Sequence, residues 1–507
     1  MQLKYCYTKI KELVALSIPY TAANIATAIT EQINTYILGR AGPITLAASG
    51  IIALSVPVIT LFNVALTALS PIISELDGKK DKQSIEVVMQ QGWISAIIVC
   101  IPQIFIFCFA KPLLNLINQP SDLVDLTENY FYLSIISLPA ISLLTVNTSY
   151  VYGTGKKLPM FLLNICSLVI AGALNSSFIL ALNLGINGYA YGTMGQIWLN
   201  NLVFFVYLKI YGSREGYKFF NLNCNNFKSL GIRTFKLGAS LTAKMLIIFV
   251  STLYKQSFVG TYGKISIIAI QMANSYNNLV LYINDSIAQT VCILIGRAVG
   301  RKDYRSIGYY DKIGVLLSLS NALLFSIPCF FTPTLISGIF LKSEDHYDPN
   351  LIAYLLYVNG AQIIIDSFSQ ILTGAFFGNE DSLTPTIVTL MTFLIVILPI
   401  TLGLHCNTNL EVLGLAIGYL VGSLVQASSM IFLWQKKLCR LSKEETQVLE
   451  DESIMPAAPN ESITASNSDS LGTKLFLNSS KFFKSNERQI NNEYQRLSET
   501  QVNYGAC

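Results

Sequence analysis

Apolar residues run through this chain in stretches too long for a soluble domain, broken at short polar intervals. In the first half they fall at 12–38, 46–74, 88–110, 128–150, 159–183 and 187–211. In the second half they fall at 237–260, 265–296, 309–340, 351–376, 384–405 and 412–435. About 20 helical residues cross a hydrocarbon layer of roughly 30 Å, whereas a barrel strand needs only about 9–11. The pattern therefore predicts twelve membrane-spanning helices, six in each half, and an all-α polytopic membrane protein. The first stretch is too long for a secretory leader and lacks a small-residue cleavage site.

Composition agrees. Of 507 residues, 52% are hydrophobic and 13% charged, with mean hydropathy +0.50; soluble domains carry about 25% charged residues. The net charge of +4 matters less than its placement. With a cytoplasmic N-terminus, the inner connections collect Lys79, Lys80, Lys82, Lys156, Lys157, Arg233, Arg297, Arg301, Lys302 and more, while the outer ones hold only Arg40, Lys111, Lys264 and Lys342. By the positive-inside rule both termini are cytoplasmic. The basic residues thus act as an orientation signal, and no nucleic-acid partner is expected. The ten cysteines lack metal-ligand spacing, and His346 and His405 match no zinc pattern, so neither a metal nor a cofactor is expected.

The two halves repeat. The turn 78-GKKDKQSI-85 returns as 300-GRKDYRSI-307, 222 residues later. Gly92 and Gly314 keep that offset, 188-GYAYG-192 returns as 414-GLAIG-418, and 153-GTGKKLP-159 is echoed by 378-GNEDSLTP-385. An even number of helices per half gives the copies the same orientation, as in parallel repeats about an axis along the membrane normal. The expected organisation is an N-terminal six-helix lobe (1–211), a polar linker (212–231), a C-terminal six-helix lobe (232–440) and a tail (441–507). The tail is rich in Ser, Asn, Glu and Gln, reads as disordered and cytoplasmic, and is a candidate contact for a cytosolic partner.

Motifs spread over roughly 11–440 resemble the multidrug and toxic-compound extrusion (MATE) family of secondary transporters. They include 12-ELVALSIP-19, 36-YILGRAGPITLAASG-50, 130-YFYLSIISLP-139, 150-YVYGTGKKLPM-160, 175-NSSFILALNLGINGYAYGT-193, 296-GRAVGRKDY-304 and 362-QIIIDSFSQILTGAFFGNEDSLTP-385. The resemblance implies two six-helix lobes around a cavity opening alternately to each side. It also implies export of amphiphilic, mostly cationic organic molecules in exchange for H⁺ or Na⁺.

A charge inside the bilayer costs about 2.5–3.5 kcal/mol on insertion scales, so each demands a role. Glu31, Lys244, Lys255, Asp285 and Asp366 lie within predicted spans. Asp366 shares a helical face with Asn359, Gln362, Gln370 and Thr373. A carboxyl group there can hold a proton or a cation but not both, which couples two opposed fluxes. The resemblance places Asp366 on the acidic position of the family's tenth helix. It also aligns Asn34 with an essential aspartate of many bacterial members, and an amide cannot be deprotonated. Glu31, nearly one turn earlier, is the candidate replacement, and Asn175 matches a polar family position. Two further acidic family positions hold Ile179 and Ile248 here. Lys244 and Asp285 lie at comparable depth and are expected to neutralise each other as an intramembrane pair.

Three functions follow as expectations. The first is an efflux antiporter of the cell membrane, with Asp366, Glu31, Asn34, Asn175, Gln362 and Gln370 as ion and substrate residues. The second is a flippase for lipid-linked or anionic cargo, favoured by the intramembrane lysines. The third is a transport-impaired scaffold acting through 441–507. No Walker motif or enzyme signature is present.

Overall fold

The computed structural model describes residues 2–454 except 42, 54, 117–120, 220–226, 263, 341–348 and 409. The expected tail beyond 454, part of the 212–231 linker, Lys342 and His346 lie outside the described residues. Met1–Val448 is one compact unit and Leu449–Cys507 another.

Helices dominate. The first half contains α1 (Gln2–Ala41), α2 (Pro43–Ala53), α3 (Ser55–Thr67), α4 (Leu69–Gly78), α5 (Lys82–Cys108), α6 (Ala110–Leu116), α7 (Ser121–Gly153), α8 (Lys157–Ser176) and α9 (Gly185–Tyr207). The second half contains α10 (Phe227–Thr261), α11 (Lys264–Gly300), α12 (Tyr304–Phe331), α13 (Pro333–Phe340), α14 (Pro349–Gly378), α15 (Leu383–Met391), α16 (Leu398–Asn407) and α17 (Glu411–Ile454). Single π-helical turns at Ser177–Ala181, Leu208–Gly212 and Thr392–Ile397 interrupt or extend them.

Eleven helices among the described residues are long and apolar enough to cross a membrane. The expected span 187–211 is helical, as α9, but falls outside these eleven. Asn187, Gln196, Asn200 and Asn201 dilute its apolar character, and Asn201 is buried, donating to Ala140 O at 2.7 Å. The expected span 309–340 breaks at Thr332, because Pro333 disfavours a helical conformation in the residue before it. At the C-terminal end α17 continues through 441–454, where the sequence had suggested disorder. The run 443-KEETQVLE-450 is built of good helix formers, and a helix already nucleated in the membrane extends through it at little cost.

The duplicated turns have the same backbone. Lys80 and Lys302 both take left-handed conformations, at φ 59° and 58°. Asp81 N donates to Leu76 O and Asp303 N to Ala298 O, closing the preceding helix in the same Schellman-type pattern. Each aspartate then caps the next helix, Asp81 accepting from Ser84 N at 3.1 Å and Asp303 from Ser306 N at 3.2 Å. The connection after α14 repeats the design with Glu380 at φ 55° and Asp381 accepting from Thr384 N at 3.1 Å. After α7 the left-handed residue is Gly155, at φ 51°.

The two copies also meet. Gly78 and Gly300 allow α4 and α11 to touch backbone to backbone. A Cβ on Gly300 would stand 2.1 Å from Glu75 O, and one on Gly78 would stand 2.4 Å from Arg297 O. Ser74 Oγ donates to Ile293 O at 2.5 Å along the same seam. Elsewhere the halves of the chain touch where α10 packs on α3 and α1 packs on α11.

Candidate functional site

A cavity of 600 Å³ lies among α10, α11, α14 and α17, with Val64 of α3 closing one side. The predicted charges converge on it: Lys244 from α10, Asp285 from α11 and Asp366 from α14 all line its wall. They do so because each occupies the polar stripe of an otherwise apolar helix, and a polar stripe in a membrane helix turns away from lipid. Phe377, Phe393, Ile247, Ile248 and Leu241 supply the apolar remainder. At one end α11 and α14 close together, since Cβ atoms on Gly374 and Gly378 would each lie 2.4 Å from Ala288 O and Cys292 O respectively.

Asp366 is half-buried, with Ser423 and Gln362 as hydrogen-bonding neighbours and Lys255 as the cation acting on it. Lys255 Nζ itself donates to Asn274 Oδ1 at 3.1 Å and stands 5.3 Å from the Tyr419 ring centre. One turn and two turns further along α14, Gln370 and Thr373 share the cavity wall with Asp366. Gln362 touches Asp366 without lining the cavity. Ser369 Oγ and Gln370 Oε1 are buried and have no hydrogen-bond partner among the described residues.

Lys244 and Asp285 are brought to the same cavity but not into contact. Among the described residues no ion pair within 4.0 Å joins them. Lys244 Nζ instead donates to Thr373 Oγ1 at 3.4 Å and stands 5.1 Å from the Phe377 ring centre. Asp285 is exposed to the cavity space. The expected pair is therefore not a direct ion pair, although each is the charge acting on the other across the cavity.

The first-half residues sit elsewhere. Asn175 Nδ2 donates to Asn34 Oδ1 at 2.7 Å, and both side chains are buried. Two bonded amides form a polar contact that carries no exchangeable charge. Glu31 is exposed on α1 and does not line the cavity.

Sequence reading missed two features. Tyr419, Ser423 and Gln426 on α17 complete the cavity, and their spacing of four and three residues was the available signal. The second is a charged cluster at the end of the molecule that carries the duplicated turns. Arg233 Nε donates to Glu380 Oε2 at 2.5 Å, and its terminal nitrogen pairs with both Glu75 and Glu380. Glu75 also pairs with Lys79. Arg297 pairs with Asp77 at 2.9 Å and donates to Thr154 O. Burial pushes the Glu380 carboxyl up to about 7, with Arg233 opposing and Glu75 adding to the rise. Asp381 is also raised by burial, but Lys437 at 2.7 Å and the Thr384 amide leave it below the usual range. These pairs tie α4 of the first half to α10, α11 and the 378–382 connection of the second.

A family model described as MatE matches residues 19–176 and 241–402. A protein described as "Probable multidrug resistance protein NorM" from Bacillus anthracis is 26% identical over 434 residues, covering 82% of this chain and 92% of that protein. The "Multidrug and toxin extrusion protein 1" of Oryctolagus cuniculus is 23% identical over 430 residues, covering 83% of this chain and 73% of the relative. A crystal structure of a Vibrio cholerae MATE transporter superposes with TM-score 0.76 at 18% identity, covering 86% of this chain and 98% of that one. A Pyrococcus furiosus transporter of the MOP superfamily, described with a binding pocket of reverse polarity, superposes with TM-score 0.77 at 18% identity over 86% of this chain and 97% of its own. At those identities the two structures speak for the fold.

Proposed function

The chain belongs to the MatE family of multidrug efflux transporters, and on that premise we propose that it is an antiporter exporting amphiphilic organic molecules, mostly cations, in exchange for H⁺ or Na⁺. Two six-helix lobes rock against each other, with the cavity inside the second, both termini cytoplasmic and the protein in the cell membrane. Asp366 is the coupling group. The observation that carries this reading is its position: a carboxylate on the wall of a 600 Å³ cavity among apolar side chains.

A proton or sodium ion neutralises that carboxylate, and so does a cationic cargo. Neither shares Asp366, because one carboxylate balances one positive charge and a second at the same group would carry the desolvation cost of a bare charge. Binding of the ion on one side therefore displaces cargo, and release on the other readmits it. Gln370 and Thr373 extend the polar strip along which a ligand moves toward Asp366. The Asn34–Asn175 contact has no titratable group, so in this chain coupling rests on the second half. Dye efflux from proteoliposomes with imposed pH or Na⁺ gradients tests the reading. Asp366→Asn is expected to abolish gradient-driven efflux, and wild-type activity with unchanged ion dependence would remove Asp366 from the mechanism.

Lys244 in the cavity favours a second reading, transport of a lipid-linked or anionic cargo. Preferential binding of a labelled lipid-linked sugar over organic cations would decide for it.

A further inference from the structure

The cavity carries a charge that a purely cationic cargo does not need. An ammonium inside the membrane requires a partner, and a lysine placed only to neutralise Asp285 would touch it. Among the described residues Lys244 forms no ion pair with a carboxylate and donates to Thr373 at 3.4 Å. An ammonium has three donors, so Lys244 keeps capacity for a ligand while its ring contact with Phe377 fixes it in place.

The opposite pole is Asp366. It lies seven residues before Thr373 on α14, which at 1.5 Å per residue separates the level of Asp366 from that of Lys244 by roughly 10 Å along the helix. Between them Ser369 and Gln370 line the wall, with Ser369 Oγ and Gln370 Oε1 buried behind it and without a hydrogen-bond partner among the described residues. Positive pole, polar residues, negative pole and apolar flank line one cavity.

From this arrangement we infer that Lys244 is a specificity-determining residue: it receives an anionic group of the cargo, so the preferred ligand is a zwitterionic amphiphile with its cationic part on Asp366. The inference rests on the efflux reading and names the substrate class of the same cavity. Charge balance supports it. A zwitterion brings no net charge into the apolar space and offers Lys244 a direct partner, whereas with a simple cation Lys244 keeps only the field of Asp285, which it does not touch.

Rhodamine B, a zwitterion, and its ethyl ester, a cation on the same scaffold, isolate the effect of one carboxylate. Binding of each to the full-length chain in nanodiscs is followed by fluorescence anisotropy. The wild type is expected to bind rhodamine B at least as tightly as the ester. Lys244→Met is expected to weaken rhodamine B relative to the ester by about tenfold or more, the scale of a lost hydrogen bond between charged groups. Lys244→Arg is expected to recover most of the difference. Lys244→Gln, which keeps a polar head, provides the same comparison should the methionine variant fail to fold. A wild-type preference for the ester, equal losses for both dyes, or no recovery with arginine overturns the inference. So does recovery in the double variant Lys244→Met/Asp285→Asn, which would reduce Lys244 to a counter-ion of Asp285. The assay uses no ion gradient, so failure of the antiport reading shows separately, in proteoliposomes.

Discussion

Arg233→Met removes the guanidinium that links the two halves at the turn-bearing end while keeping an apolar stem. In the wild type this group pairs with both Glu75 and Glu380. Glu75 retains Lys79 after the change, but Glu380 loses the cation that opposes its burial. Breaking a fully buried pair costs about 3–5 kcal/mol. Here the Arg233 side chain is 30% exposed, against 19% for Glu380 and 8% for Glu75, so water recovers part of that and about 1–2 kcal/mol is expected. A loss of that size multiplies the open population by about 5–30.

Cys292 reports it. The thiol is free and buried, and it lines the cavity at the end where α11 and α14 close together. In a background lacking the other cysteines, an impermeant maleimide applied to each face of oriented vesicles in turn measures access to it. The variant is expected to be alkylated about 5–30 times faster from the turn-bearing face, with no comparable gain from the other. A rate within twofold of wild type from that face would show that Arg233 does not hold this end shut.

Glu380 gives the same closure a pH dependence. Its carboxyl sits at about 7 when buried, against 4.5 when solvated, so the closed state binds the proton more tightly. Its contribution to closure is fully present below pH 4.5 and is lost as pH rises through about 7. EPR distances between labels on Lys80 and Lys302 are therefore expected to lengthen from pH 5 to 8, and Glu380→Gln to flatten the trend. Gly300→Ala drives a Cβ into the Glu75 carbonyl and is expected to destabilise the α4–α11 seam by about 1–3 kcal/mol, seen as faster Cys292 alkylation. Asp81→Ala and Asp303→Ala remove equivalent caps. Each is expected to lower stability in SDS titration by about 1 kcal/mol; unequal losses would separate the two turns.

Much of the architecture was legible because membrane helices must satisfy their own backbone and announce themselves by unbroken apolar length. The duplicated turn was legible for a different reason. Asp followed three residues later by Ser, after a glycine, specifies a helix end and a helix start whatever surrounds them, and the same bonds recur at Asp81 and Asp303. Asp366, Lys244 and Asp285 stood out as charges in oil, and the cavity gathers all three. What sequence spacing does not encode is distance across helices. Periodicity placed Lys244 and Asp285 at one depth, but only the folded arrangement brings the lysine to Thr373. The Arg233 cluster was hidden for the same reason, since its members come from α4, α10 and the 378–382 connection, far apart in sequence. The α9 helix is less apolar than the other spans because its asparagines lower its hydropathy, while a helix contact satisfies the buried Asn201.

Competition at Asp366 is the most direct measurement of the mechanism. Binding of a cationic dye to the full-length chain is titrated at increasing H⁺ or Na⁺ concentration, in the wild type and in Asp366→Asn. One of the two ions is expected to raise the apparent Kd of the wild type in proportion to its concentration, and Asp366→Asn to bind weakly and independently of it. A wild-type Kd indifferent to both ions, or an ion dependence that survives in Asp366→Asn, would contradict exchange at this carboxylate.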